Sequence, residues 1–198
     1  MSLKHTYRFI APFYDAAIEA ATRSVRQRSL AALPAEPGRI LINGIGTGLD
    51  LPHLPPQHEY VGIDLTQAML EKAVRRRDRR AFLPILGDVQ RLPFADDAFD
   101  AVVLHLILAV VPNPAACLAE AERVLRPGGS MLILDKFLRP GQKAPMRRLA
   151  NVLFRRVATR LDVVWEDVLA TVPGLAVAED CPALAGGWFR RIRLVKAG

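Results

Sequence analysis

The chain has 198 residues, 27 Lys and Arg against 20 Asp and Glu, a net charge of +7, and 51% hydrophobic residues. That length makes one domain with a sizeable core the default. The apolar fraction excludes a disordered chain, and Gly and Pro scattered without a period exclude a collagen-like one.

From the N-terminus, MSLKHTYRFIAPFYDAA has no apolar stretch leading to a small-residue cleavage site, so no signal peptide is expected. Short apolar runs then alternate with helical patterns. Arg39–Asn43 (RILIN), Tyr60–Asp64 (YVGID), Phe82–Leu86 (FLPIL, weakened by Pro84), Phe99–Leu104 (FDAVVL) and Met131–Asp135 (MLILD) read as five strands. Leu175–Ala178 and Phe189–Val195 read as a sixth and a seventh. Nearly all are apolar throughout, as strands covered on both faces should be.

Between them, Thr66 is placed to cap a helix whose face carries Met69, Leu70, Ala73 and Val74. Pro114 suits the first turn of a second helix with Cys117, Leu118, Ala121, Val124 and Leu125 at 3–4 spacing. Pro127-Gly128-Gly129 stops it. Strand alternating with helix predicts an open, mostly parallel α/β sheet. The link from strand six to strand seven holds Pro182 and Gly186-Gly187 and is too short for a crossover helix, so strand seven should be antiparallel.

The longest uncharged run, Ala101 to Leu118, contains His105, Asn113 and two prolines, which does not suit a membrane span. Cys117 and Cys181 lie 64 residues apart without a CxxC, as expected of a reduced, cytoplasmic protein. His5, His53 and His58 show no ligand spacing with each other or with the cysteines, so no metal is expected.

The strongest local signal is strand one running into Gly44-Ile45-Gly46-Thr47-Gly48, with a helix expected from Leu49. Glycines at such a junction let the backbone turn tightly and approach a ligand with no Cβ between them. Twenty residues after Gly44, Asp64 ends strand two, where a carboxylate can accept both hydroxyls of a ribose. No Lys-Ser/Thr follows the glycines, which excludes a P-loop, and the G-x-G-x-G spacing counts against a nicotinamide dinucleotide.

GIGTG, YVGID, GDVQRLPF, FDAVV and RVLRPGG, in this order and spacing, resemble the class I S-adenosylmethionine-dependent methyltransferases. Within them the chain is most similar to the ubiquinone/menaquinone-type C-methyltransferases and the small bacterial phosphatidylethanolamine N-methyltransferases. The resemblance implies a single Rossmann-like α/β domain: a seven-stranded, mostly parallel sheet with an antiparallel seventh strand and helices on both faces. Its parts would be an N-terminal helical cap (1–36), a cofactor-binding core (37–136), a basic helical lid or insert (139–173) and a C-terminal strand pair (174–198).

The resemblance also implies roles. Gly44, Ile45, Gly46, Thr47 and Gly48 would wrap the methionine portion of S-adenosylmethionine. Asp64 would hold the ribose, Leu65 would pack on the adenine, and Asp88 with the Val89 amide would bind the adenine edge. Tyr14, in APFYD, would close over the cofactor. His105, after strand four, would face the transferred methyl group. His105 and Tyr14 are the candidates to position the acceptor or take a proton. Residue types alone leave alternatives open, since Asp88 is also common turn chemistry and a lone histidine among Leu104, Leu106 and Ile107 is also a core residue. The position before the first glycine, in the family usually acidic or one step from an acid, is Asn43, which can accept a hydrogen bond from an ammonium group without charge assistance. Asp100 is expected to be structural, and Asp135 and Lys136 either border the substrate pocket or form a local ion pair.

The charge is local. Arg139–Arg160 carries seven cations and no acid, with Met146, Leu149, Leu153, Val157 and then Leu161 at helical spacing; the residues outside it balance at 20 cations against 20 acids. Such a basic amphipathic segment is an ordinary packing helix, a lid on an anionic membrane or substrate through 143–160, or a nucleic-acid contact. The last is disfavoured by the lack of interleaved aromatics for base stacking. The expected function is methyl transfer to a hydrophobic or lipid-borne acceptor such as a phospholipid amine or a quinone precursor. A soluble small-molecule methyltransferase, a non-catalytic cofactor-sensing module and a nucleic-acid-binding protein are the alternatives.

Overall fold

The computed structural model describes residues 19–78, 80–138 and 163–198. Helix α1 (19–30) leads into β1 (Arg39–Asn43), followed by β2 (Glu59–Asp64), α2 (Gln67–Arg76), β3 (Phe82–Leu86), β4 (Phe99–His105), α3 (Pro114–Val124) and β5 (Leu125–Lys136). Then come α4 (Trp165–Leu169), β6 (Leu175–Leu184) and β7 (Phe189–Lys196). The strands form one sheet in the order β3-β2-β1-β4-β5-β7-β6. β1 pairs in parallel with both β2 and β4, and so do β2 with β3 and β4 with β5. β7 is antiparallel to β5 and to β6. The order reverses between β1 and β4, and in open α/β sheets ligands bind at such a switch point, beyond the carboxyl ends of the strands.

Two apolar layers cover the sheet. On one face Ile40, Ile42, Ala101, Val103 and Leu132 pack with Leu30 of α1 and Leu70 and Ala73 of α2. On the other, Leu41, Val102, Leu104, Met131 and Ile133 pack with Cys117, Leu118 and Ala121 of α3 and Trp165 and Val168 of α4. Asn113 caps α3, its side chain accepting from the Ala116 amide, and Pro114 occupies the first turn as expected.

Three local expectations change. The chain after the glycines makes only a 3₁₀ turn, Leu51–His53, rather than an α-helix. Pro52, Pro55 and Pro56 remove the amide donors a helix would need there. Strand five begins at Leu125, directly after α3, and Pro127-Gly128-Gly129 form an irregularity inside it, with pairing to β4 broken between Phe99 and Ala101. Strand six runs on to Leu184 with two register shifts. It and β3 are the sheet's edge strands, which is where Pro182 and Pro84 can be accommodated.

Candidate active site

The carboxyl end of β1 enters the glycine loop, whose three glycines all have positive φ. The Gly44 and Ile45 amides both donate to Ile63 O at 3.0 Å, tying the loop to the end of β2. Only Gly could occupy two of these positions without displacing a neighbour. A Cβ at Gly44 would lie 2.5 Å from Ile107 Cδ1, and one at Gly48 would lie 2.8 Å from Ala73 Cα. Gly46 differs, since a Cβ there would meet nothing among the described residues within 4 Å. Its glycine leaves open space beside the backbone. Thr47 is anchored from α2, where Arg76 donates to its carbonyl at 3.0 Å and its hydroxyl at 2.8 Å.

Asp64 is half-buried at the end of β2. One of its oxygens accepts the Gly46 amide and the other the Thr66 amide, each at 2.9 Å. The carboxylate thus joins the glycine loop to the start of α2, and each oxygen keeps a lone pair for a further donor. Thr66 stands at the helix cap through its own amide; its side chain makes no cap hydrogen bond. Next to it Leu65 is 73% exposed, and Leu86, the register partner of Asp64 on β3, is 57% exposed. An acid flanked by uncovered leucines is unusual on a surface and suits a ligand with a polar and an apolar part.

Asp88, just beyond β3, accepts from the Gln90 amide at 2.9 Å and from the Gln90 side chain. Gln90 in turn accepts from the Asn113 amide at 2.9 Å, fixing this turn against the start of α3, with Val89 buried beneath it. Asn43 is wholly buried. Its amide nitrogen donates to Cys117 Sγ at 3.7 Å, while its Oδ1 has no partner. An orphaned buried acceptor at the end of β1 leaves hydrogen-bonding capacity for a donor from outside the protein. Burial first, and then the carboxylates of Asp88 and Asp135, push the Cys117 thiol up to about 12, so it is no nucleophile at neutral pH.

His105 ends β4 with its ring turned inward. Nδ1 lies 2.8 Å from Asp50 Oδ1 and Nε2 lies 3.0 Å from Ser29 Oγ. Asp50 Oδ1 also accepts from Arg26 Nη1 at 2.7 Å, and Arg26 Nε donates to Thr22 at 3.0 Å. Burial raises the Asp50 pKa, but the pull of His105 and Arg26 outweighs it and holds the carboxyl well below the usual range. Asp50 is therefore ionised and accepts, so His105 Nδ1 carries the proton. The connectivity Asp50–His105–Ser29 has the order of a hydrolytic triad, yet Ser29 is only 1% exposed and Arg26 already neutralises the acid. What the network does is join α1, the chain after the glycine loop, and the end of β4.

The structure thus brings Asn43, the glycine loop, Asp64, Leu65, Asp88 and Val89 to the carboxyl ends of adjacent strands. His105 is at the same end with both ring nitrogens engaged. Tyr14 and the basic segment 139–160 lie outside the described residues. Asp100 is structural, accepting the Arg39 amide at 2.7 Å and pairing with Arg126 at the far end of the sheet. Asp50, Arg26 and Ser29 carry no motif and were not expected. Their only signal is an acid two residues past the last glycine and an arginine inside an otherwise core-facing helix.

Residues 41–133 match the methyltransferase domain family. A phosphatidylethanolamine N-methyltransferase of Cereibacter sphaeroides is 34% identical over 187 residues, covering 91% of each chain. A demethylmenaquinone methyltransferase of Renibacterium salmoninarum is 36% identical over 132 residues, covering 64% of this chain and 55% of that one. Among solved structures, a putative methyltransferase of Haloferax volcanii, in complex with a methyltransferase activator, has a TM-score of 0.77 at 18% identity. That match covers 96% of this chain and 97% of the other. A geranyl diphosphate methyltransferase in complex with S-adenosylmethionine has a TM-score of 0.70 at 16% identity, covering 92% and 86%. The chain belongs to the S-adenosylmethionine-dependent methyltransferases.

Proposed function

We propose that the chain transfers a methyl group to a lipid-borne amine, with S-adenosylmethionine held across the switch point between β1 and β4. The observation that carries the cofactor placement is Asp64. Its carboxylate closes the open glycine loop through Gly46, with Leu65 uncovered beside it and Asn43 Oδ1 unpartnered at the loop's start. The residues fit the group: Asp64 would accept the ribose hydroxyls, Leu65 would cover one side of the adenine, Asp88 and the Val89 amide would meet its edge, and Asn43 Oδ1 would accept from the methionine ammonium. When bound, S-adenosylmethionine supplies an electrophilic methyl group on sulfur.

The protein's own part is alignment and exclusion of water, since an in-line displacement depends on the approach of the acceptor. His105 is a positioning residue in this reading. Its ring is committed to Asp50 and Ser29, so acceptor deprotonation does not pass through it. Tyr14 remains the candidate to face the acceptor. An amine that sheds one proton to water needs no buried base.

The lipid amine is favoured over a quinone precursor by extent of similarity: the phosphatidylethanolamine enzyme is matched over nearly its whole length, the demethylmenaquinone enzyme over about half. The basic segment 143–160 fits the same reading as a contact with an anionic bilayer surface. No helix among the described residues is long and apolar enough to cross a membrane.

The test supplies methyl-labelled S-adenosylmethionine with vesicles containing phosphatidylethanolamine, vesicles of phosphatidylcholine alone, or a demethylmenaquinone. Label in the ethanolamine lipid supports the reading. Label only in the quinone replaces it with the carbon acceptor.

A further inference from the structure

The chain immediately after β4 is held in a conformation it would not choose alone. Leu106 has φ +60, uncommon for a branched non-glycine residue and a mark of stored strain. Its amide donates to Leu134 O at 2.8 Å, and the Val110 and Val111 amides fold back to Ile107 O at 2.9 and 3.1 Å. The turn presses Ile107 against Gly44, so closely that a Cβ on Gly44 would overlap it. Residues 106–111 therefore form a wall on the first glycine of the cofactor loop.

What pins the turn is a buried acid. Asp135, at the end of β5, is 1% exposed. Its Oδ2 accepts the Ala109 amide at 3.1 Å and its Oδ1 the Lys136 amide at 2.8 Å. Among the described residues it has no ion-pair partner; burying a carboxylate so is costly, and a merely structural site could be filled by an apolar side chain. Burial outweighs the hydrogen bonds from Ala109 and Lys136 and pushes this carboxyl up to about 6.

We propose that Asp135 is a positioning residue for methyl transfer: its carboxylate holds residues 106–111 in the strained turn that seats Ile107 on Gly44, fixing the boundary between the cofactor loop and the acceptor. The inference rests on the placement of S-adenosylmethionine at residues 43–64.

Among the described residues, the charged and titratable groups around Asp135 are few. Lys136 follows it on β5. Cys117 of α3 is within electrostatic reach of Asp88 and of Asp135. The register partner of Asp135 on β7, Arg190, is paired with Asp180 and with Glu166 of α4. His105 on β4 is sealed between Asp50, after the glycine loop, and Ser29 of α1. Protonation of Asp135 turns one acceptor oxygen into a donor, and the turn loses part of its hold.

The experiment uses the full chain and Asp135→Asn, with amide and methyl resonances of Gly44, Ala109 and Ile107 followed from about pH 5 to about pH 8. Affinity for S-adenosylhomocysteine is measured on the same samples. In the parent protein the Ala109 amide and the Ile107 methyls should titrate together, and affinity should fall about fivefold toward the acid end. In Asp135→Asn the Gly44 and Ile107 signals should shift, affinity should drop about tenfold, and the acid limb should vanish, with the fold at neutral pH at least as stable as that of the parent protein, since a neutral side chain avoids the cost of burying the carboxylate. Unmoved Gly44 and Ile107 signals would overturn the proposal, and so would an acid limb that persists in the variant. A parent protein that binds no sulfur nucleoside would instead refute the cofactor placement, while the resonances of Gly44 and Ile107 still decide whether Asp135 holds the turn.

Discussion

Replacing Gly46 by alanine separates the folding role of the glycine loop from its binding role. The residue has φ +55, which costs an alanine on the order of 1 kcal/mol, and its new Cβ meets no atom of the described residues within 4 Å. The fold should therefore lose about 1 kcal/mol and no more. The methyl group would nevertheless fill the open side of the loop, where a ligand must approach the backbone, and affinity for S-adenosylhomocysteine should fall at least about tenfold, or 1.4 kcal/mol. Gly48→Ala is the contrast. Its Cβ would sit 2.8 Å from Ala73 Cα, a backbone atom that cannot step aside, at φ +81. Overpacking of about 1–3 kcal/mol adds there to the left-handed penalty. Urea unfolding and calorimetric titration on both variants read the two effects. Gly46→Ala binding the nucleoside as tightly as the parent protein would refute the reasoning, because the space beside Gly46 would then not be the ligand's.

Other outcomes follow from the buried network and from the helix cap. Arg26→Met takes from the buried Asp50 carboxylate its guanidinium partner, leaving the His105 hydrogen bond, and should cost about 3 kcal/mol in urea unfolding. The pH dependence of stability has two opposed sources. Asp135, raised to about 6 in the folded protein, favours folding at low pH, and its contribution should fall by roughly 3 kcal/mol as pH rises from 3.8 to 6. Asp135→Asn removes that segment of the profile. Asp50, held low, stabilises the fold above the ordinary carboxylate range, and its contribution should fade as pH drops below about 4. Asn113→Ala deletes the α3 cap and should cost about 1 kcal/mol with nucleoside affinity unchanged, measured by thermal unfolding and titration.

The central strands were legible because each is a short apolar run buried on both faces, and the glycine loop with Asp64 was legible because its chemistry is local to one strand–loop–strand unit. The run of strand six was hidden for the opposite reason. Glu179 and Asp180 look like loop residues, yet in the edge strand they pair with Arg191 and Arg190 across the hairpin. The helix expected at Leu49 was overridden by prolines whose missing amides outweighed the loop's resemblance to longer glycine–helix junctions. His105 was placed correctly at the end of β4, but its partners were invisible: Asp50 is 55 residues away and Ser29 is 76. No periodicity connects such positions, and only the packing of α1 against the sheet brings them together.

The central claim is that a sulfur nucleoside lies against Asp64 and the open face of Gly46. Calorimetric titration of the parent chain and of Asp64→Ala with S-adenosylmethionine, S-adenosylhomocysteine and NAD tests it most directly. The account predicts binding of both sulfur nucleosides but not of NAD, and a loss of about 1–3 kcal/mol in Asp64→Ala, where the ribose hydroxyls lose their acceptor. Affinity unchanged by Asp64→Ala, or binding of NAD in preference to either sulfur nucleoside, would contradict it.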